Sequence, residues 1–158
     1  MCFLLKVKTF LFFLFYATLE LKMTSLFTKI IQGEIPCHKI AESEQFFAFL
    51  DIRPISPGHT LIVPKQEVDR FFDMSSADLS GVLGFAKPIV EAIESVVPCE
   101  RVGLMVAGLE VPHAHLHLVP IRQIGDLSFS NAKDGDEASL KAMAFSIISV
   151  LKQQGTIS

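Results

Sequence analysis

The sequence predicts an α+β domain: an antiparallel sheet of about five strands with two main helices. Three observations lead there. Short β-rich runs follow one another as hairpins between residues 38 and 64. Two long stretches carry apolar residues at helical spacing and stand apart from those hairpins. A further β-rich run carries histidines at two-residue intervals, the period of a strand. Consecutive strands with separate helices argue for antiparallel pairing rather than βαβ units.

The elements follow in chain order. Residues 1–22, MCFLLKVKTFLFFLFYATLELK, place Lys6 and Lys8 ahead of an apolar run from Thr9 to Leu19. That run is short for a membrane span, Glu20 and Lys22 close it, and the small-x-small cleavage pattern of a secretory signal is poor. Three readings stay open for this extension: upstream codons before a true start at Met23, a signal peptide, or an anchor. Residues 23–158 contain no repeat or low-complexity linker and read as one domain. With a start at Met23, the expectation is a cytoplasmic protein without membrane contact.

Leu26 to Gln32 reads as one or two helical turns, stopped by Gly33 and Pro36. His38–Ser43 and Gln45–Leu50 read as strands joined by a turn at Glu42 to Glu44. A loop follows, punctuated by Pro54, Pro57 and Gly58, and then the strand His59–Pro64. Ser75 or Ser76 caps a long helix in which Leu79, Val82, Leu83, Ala86, Ile89, Val90 and Ile93 recur at helical spacing, with a kink expected at Pro88. The Phe71-Phe72 pair is expected as core beneath it. Arg101 to Ala107 reads as a strand leading through Gly108 to the histidines. After a polar stretch, Ser128 to Glu137, a second amphipathic helix buries Leu140, Met143, Ala144, Ile147, Ile148 and Leu151, with Gly155 past its end.

Composition bounds the function. A formal charge of −3 over 158 residues lacks the basic excess of a nucleic-acid binder. Three scattered cysteines, Cys2, Cys37 and Cys99, do not make a disulfide framework and read as reduced thiols. The chemistry concentrates in Val111-Pro112-His113-Ala114-His115-Leu116-His117-Leu118-Val119. On a strand, His113, His115 and His117 share one face, and Ala114, Leu116 and Leu118 take the other. Three imidazoles on one face are poor packing, since histidine is no favoured core residue and three cations would repel.

Two chemistries suit such a row: a metal held by neutral imidazoles, or phosphoryl transfer with one ring as nucleophile. From His113 to His117 a strand spans roughly 13 Å at about 3.3 Å per residue, too far for three rings on one atom. A middle nucleophile flanked by helpers fits the spacing better. His59 alone reads as a surface or turn residue, His38 as surface, and Asp51 as a turn-maker or a site acid. Glu110 is equally open to solvent or site.

His113-Ala-His115-Leu-His117-Leu-Val resembles the histidine-triad signature of the HIT superfamily of nucleotide hydrolases and transferases. Leu26 to Pro36 is similar to the opening segment of its Hint-like branch, and Phe46–Asp51 with Ser56–Lys65 to its central strands and nucleotide loop. The resemblance implies the HIT-like sheet and a homodimer. It implies that His115 attacks the α-phosphorus of a nucleotide, giving a nucleotidyl-histidine that water releases as the nucleoside monophosphate. His113, His117 and His59 would assist, Asp51 would receive the ribose hydroxyls, and Leu26, Phe27, Ile30, Phe49 and Ile52 would line the base cleft. No cofactor is implied, because positioning and aimed donors carry such transfers.

The pattern also departs from the family. Leu109 and Glu110 stand where the Hint-like branch has Gln and Ser. Where some members hold structural zinc with cysteines and a histidine, this chain has Ser25, Thr28 and Glu67, so no zinc is expected. The implied activity is hydrolysis of nucleoside phosphoramidates or similar small nucleotides. Alternatives are a dinucleoside polyphosphate hydrolase, a nucleotide-binding regulatory protein with little turnover, or a metalloprotein using the triad as ligands.

Overall fold

The computed structural model describes residues 24–157, so the readings of the N-terminal extension lie outside the described residues. Ser25 caps helix α1 (Leu26–Ile31) by accepting the Thr28 amide on its hydroxyl. Strands β1 (Lys39–Glu42) and β2 (Phe46–Leu50) form a hairpin whose turn is held by the Ser43 hydroxyl, which accepts the amides of Gln45 and Phe46. Strand β3 (Thr60–Pro64) follows the proline-rich loop. Helix α2 (Ser76–Val96), capped by Ser75, runs through Pro88 as one element. The carbonyl four residues back, which the proline ring crowds, belongs to Gly84. Strands β4 (Arg101–Met105) and β5 (Leu116–Ile121) precede helix α3 (Glu137–Gln153), capped by Asp136.

The sheet order is β1-β2-β3-β5-β4, with every neighbouring pair antiparallel. The expected α+β class and five-stranded antiparallel sheet are therefore observed. Period-two alternation divides the strands between two cores. Phe46, Ala48, Leu50, Ile62, Leu116 and Leu118 join the buried faces of α2 and α3. Phe47, Phe49, Leu61 and Val63 point the other way and pack with Phe27 of α1. Register then sets a cross-strand row on this second face, because Phe49 pairs with Leu61 and Leu61 with His117. One sheet face builds stability; the other carries the histidine.

Gly58 shapes the turn before β3. Its φ of 86° favours glycine, and a Cβ there would sit 2.9 Å from Val97 Cγ2. The turn therefore lies tight against the end of α2 and delivers His59 fully buried at the edge of β3.

Three expectations need correction. The triad does not lie within one regular strand, since β5 begins only at Leu116. Pro112 has no amide to give a ladder, and the Ala114 amide donates to Val68 O at 2.6 Å instead. The strand expected over Arg101–Ala107 likewise stops at Met105, ahead of Gly108 with φ 68°. The Phe71-Phe72 pair is also split: Phe71 packs half-buried on the main core while Phe72 is 82 % exposed. Adjacent residues of the short turn Phe71–Asp73 point in different directions, so only one reaches the core.

Candidate functional site

All the residues expected at the site except His113 and His59 line one cleft of about 320 Å³. Its apolar end is made by Leu26, Phe27 and Ile30 of α1 with Phe49 of β2. Asp51 and Ile52, at the start of the loop after β2, line it as well, together with His115 and His117. Ile52 at 64 % and Leu26 at 47 % exposure are apolar side chains left open to a ligand rather than packed away. Phe27 joins the apolar end to the histidines, its ring centroid 5.1 Å from that of His115 and edge-on to it.

The histidines are each fixed by different partners. His113 is fully buried beneath the cleft, where its Nε2–H donates to Pro64 O at 2.8 Å. With that proton assigned, Nδ1 accepts from the Ser25 hydroxyl at 2.6 Å. His115 donates its Nδ1–H to the His113 carbonyl at 2.6 Å. Its Nε2 is therefore left with a free lone pair. His59 Nδ1 accepts the Ile55 amide at 3.1 Å, so its proton sits on Nε2, 3.0 Å from His117 Nδ1. His117 then carries its proton on Nε2, and that buried atom has no partner among the described residues.

The rings of His115 and His117 are neighbours, with centroids 4.8 Å apart. Both residues line the same cleft, His115 with a lone pair on Nε2 and His117 with a buried, unsatisfied Nε2–H. Burial, with the nearby rings of His115 and His59, pushes His117 down to about 3, only partly opposed by Asp51. Burial, then His115, lowers His59 to about 4. Both stay neutral near neutral pH, as the tautomers require. Asp51 Oδ2 lies 3.6 Å from His59 Nδ1, an ion pair only if that imidazole is charged. Asp51 Oδ1 accepts the Arg53 amide at 2.8 Å, which orients the carboxylate.

Some site residues were not foreseen. Phe129, in the short turn Phe129–Asn131, stands edge-on to His117 at 5.1 Å and lines the cleft with Ala132. A lone aromatic in the polar stretch after β5 was the available signal. That segment is strapped down where Gly135 N donates to Ile52 O at 2.8 Å and Arg53 pairs with Asp134 at 3.3 Å. Glu110 and Val111 complete the rim, while Leu109 projects into solvent at 92 % exposure. His38, expected at the surface, is half-buried and bonds Glu137 at 3.2 Å.

A larger groove of about 850 Å³ passes Pro57, Pro98 and Arg122. It contains no histidine, and its one thiol, Cys99, is pushed up by burial and by Glu94 and Glu100. A raised thiol is a poor nucleophile.

A profile of the HIT domain matches residues 32–124, more than half of the chain. The chain belongs to the HIT family. This HIT protein is 38% identical over 118 residues to an uncharacterised HIT-like protein of Methanocaldococcus jannaschii, covering 70% of this chain and 91% of that one. It is 36% identical over 100 residues to the adenosine 5'-monophosphoramidase of Schizosaccharomyces pombe, covering 62% and 74%. Among solved structures, a zinc-bound histidine triad family protein of Mycobacterium smegmatis superposes with a TM-score of 0.73 at 28% identity, covering 85% of this chain and 97% of that chain. Family and relatives support a nucleotide hydrolase in general.

Two clusters in this HIT protein bear on metal binding. Ser25, Thr28 and Glu67 converge on His113, but as a hydrogen-bonded set. Glu67 Oε2 accepts from Thr28 Oγ1 at 2.5 Å and from Ser25 N at 3.0 Å. Two hydroxyls and a carboxylate around one imidazole do not match the sulfur and nitrogen donors that structural zinc prefers. Ligand atoms of Asp51, His59 and His117 also lie within 4.8 Å of one another. There the two imidazoles already share a proton, and His59 Nδ1 is occupied by the Ile55 amide. Neither set suits a resident metal. Among the described residues, no helix is long and apolar enough to cross a membrane.

Proposed function

We propose that this protein hydrolyses nucleoside phosphoramidates through a nucleotidyl-histidine on His115. The observation that carries this reading is the pairing of a free lone pair at His115 Nε2 with an unsatisfied N–H at His117 Nε2 in one cleft. The first attacks phosphorus; the second donates to a phosphate oxygen as charge builds there. In step one, His115 Nε2 bonds the α-phosphorus while the P–N bond breaks, and the amine leaves with that electron pair and a proton from solvent. In step two, water attacks phosphorus and gives up a proton to solvent, the P–Nε2 electron pair returns to Nε2, and the nucleoside monophosphate departs.

The substrate fits by parts. The base packs between Leu26, Phe27, Ile30 and Phe49, and the ribose diol donates to Asp51. Ile52 covers the sugar from the loop, His59 fixes the His117 tautomer, and His113 presents the carbonyl that orients His115. The relative named as an adenosine 5'-monophosphoramidase favours this substrate class. The test is rapid mixing with an adenosine phosphoramidate, acid quench and intact mass. An adenylyl adduct on His115 is expected. Turnover with no adduct on any histidine overturns the covalent route.

The reading includes a homodimer. Strand β4 is a sheet edge, and Leu104 at 46 % and Val106 at 42 % exposure leave apolar surface beside its open backbone groups. Sedimentation at micromolar concentration is expected to give twice the chain mass.

A further inference from the structure

We propose that Glu110 is a specificity-determining residue that selects cationic amine leaving groups and turns away anionic ones. The inference rests on the function proposed above, since it assigns the part of the substrate beyond the phosphate. Base and ribose occupy the apolar end and Asp51, and the histidines take the phosphate. The lining residues that remain include Glu110 and Val111, just ahead of the triad in the chain, and Phe129, whose ring lies 5.1 Å from that of His117. Glu110 is exposed and stands three residues before His113 and five before His115 in the chain.

The charges of the cleft agree. Among the described residues that line it, the acids are Asp51 and Glu110, and the one cation, Arg53, is already paired with Asp134 at 3.3 Å. A polyphosphate tail therefore meets a carboxylate and an aromatic ring with no unpaired cation to neutralise it. An amine tail bearing a second positive charge meets an acceptor in Glu110 and the ring face of Phe129. Position 110 thus turns an electrostatic difference into substrate choice, in the way that charged rims discriminate partners elsewhere.

The test uses adenosine 5'-phosphate esters whose tails are alike in size but end in an ammonium, a methyl or a carboxylate group. The affinity of each for the full chain is measured by calorimetry at low salt. The ammonium ester is expected to bind about five- to tenfold tighter than the carboxylate ester, a preference that shrinks at high salt. Glu110→Gln should bring the ratio to within about twofold, and Glu110→Lys should invert it. An equal ratio in the native chain and Glu110→Gln overturns the proposal, as does a preference insensitive to salt. Because the side chain is exposed, neither variant threatens the fold. Binding requires no cleavage, so the ratio reads Glu110 even if no phosphoramidate is turned over. That second failure would strike the proposed function alone.

Discussion

His59 Nε2 lies 3.0 Å from His117 Nδ1, and the proton between them belongs to His59 because its other nitrogen accepts the Ile55 amide. This one contact decides that His117 carries a donor and not a lone pair on Nε2. A backbone amide outside the triad thus sets the tautomer of a triad ring. His115 is set the opposite way, by donating to the carbonyl of His113. Complementary roles for two neighbouring imidazoles follow from what each ring touches behind the cleft.

The nucleophile assignment predicts the behaviour of His115→Ala. Turnover of an adenosine phosphoramidate should fall by at least about 10³-fold, because the displacement is no longer divided into two easier steps. Binding of AMP should stay within about threefold of the native chain, since base and ribose contacts are untouched. Steady-state kinetics with calorimetry checks both. Residual activity close to native would remove His115 from the mechanism.

The proposed ribose contact of Asp51 predicts a selective loss. Asp51→Ala should weaken adenosine 5'-monophosphate binding roughly tenfold while leaving the 2',3'-dideoxy analogue unaffected, because only the diol uses the carboxylate. The comparison of two ligands separates ribose contact from general damage to the Arg53 turn. Equal losses for both ligands would show that Asp51 only shapes the loop.

The buried imidazoles predict a pH dependence of stability. His59 and His117 are depressed to about 4 and about 3 in the fold, against about 6.5 in an unfolded chain. Below about pH 6.5 the unfolded chain binds more protons than the native one, so stability falls as pH drops. The loss should begin near pH 6.5 and continue until the folded values are reached, while stability above pH 7 is flat for these groups. Urea midpoints from pH 7.5 to pH 4 measure it. His59→Asn should lessen the slope between pH 6.5 and pH 4.5, a range above most carboxylate titration. An unchanged slope would contradict the depressed values.

The cluster under His113 predicts a conversion. Ser25, Thr28, Glu67 and His113 already converge through contacts of 2.5 to 3.4 Å. Ser25→Cys, Thr28→Cys and Glu67→His together should create a site that binds one zinc ion per chain, since two sulfurs and two imidazoles suit a tetrahedral ion. His113 would ligate through Nδ1, its Nε2–H staying on Pro64 O as an outer support. The native chain should bind zinc far more weakly. Plasma emission spectrometry on dialysed protein checks both. Ser25→Ala alone should cost about 1–3 kcal/mol by removing the hydroxyl that donates to His113 Nδ1 and caps α1.

Most of the fold was legible because its signals are local. The two long helices lie where apolar spacing placed them: Ser75 caps α2 and Gly155 follows α3 at φ 70°, as expected, while the Asp136 cap of α3 was not foreseen. The hairpin β1–β2 and strand β3 came from β-rich runs between turn residues. What failed also has a local cause. Alternating histidines imply a strand, but Pro112 and the Ala114 amide take the chain out of the ladder until Leu116. Phe72 and Phe129 were unreadable because an aromatic residue in a short turn carries no period. The cleft residues were legible through family resemblance, whereas spacing by itself left metal and phosphate chemistry both open.

The sequence alone determined which groups are present for chemistry: three imidazoles two residues apart, an acid at the end of β2, and an apolar helix ahead of the sheet. Local chain geometry makes those statements, and no distant contact is needed. Only the tertiary structure decided what the groups do. Ser25 and Pro64 hold His113, His113 orients His115, and Ile55 with His59 sets His117. An imidazole offers a donor or an acceptor according to the proton on its other nitrogen, and that proton is assigned by partners up to 88 residues away in the chain.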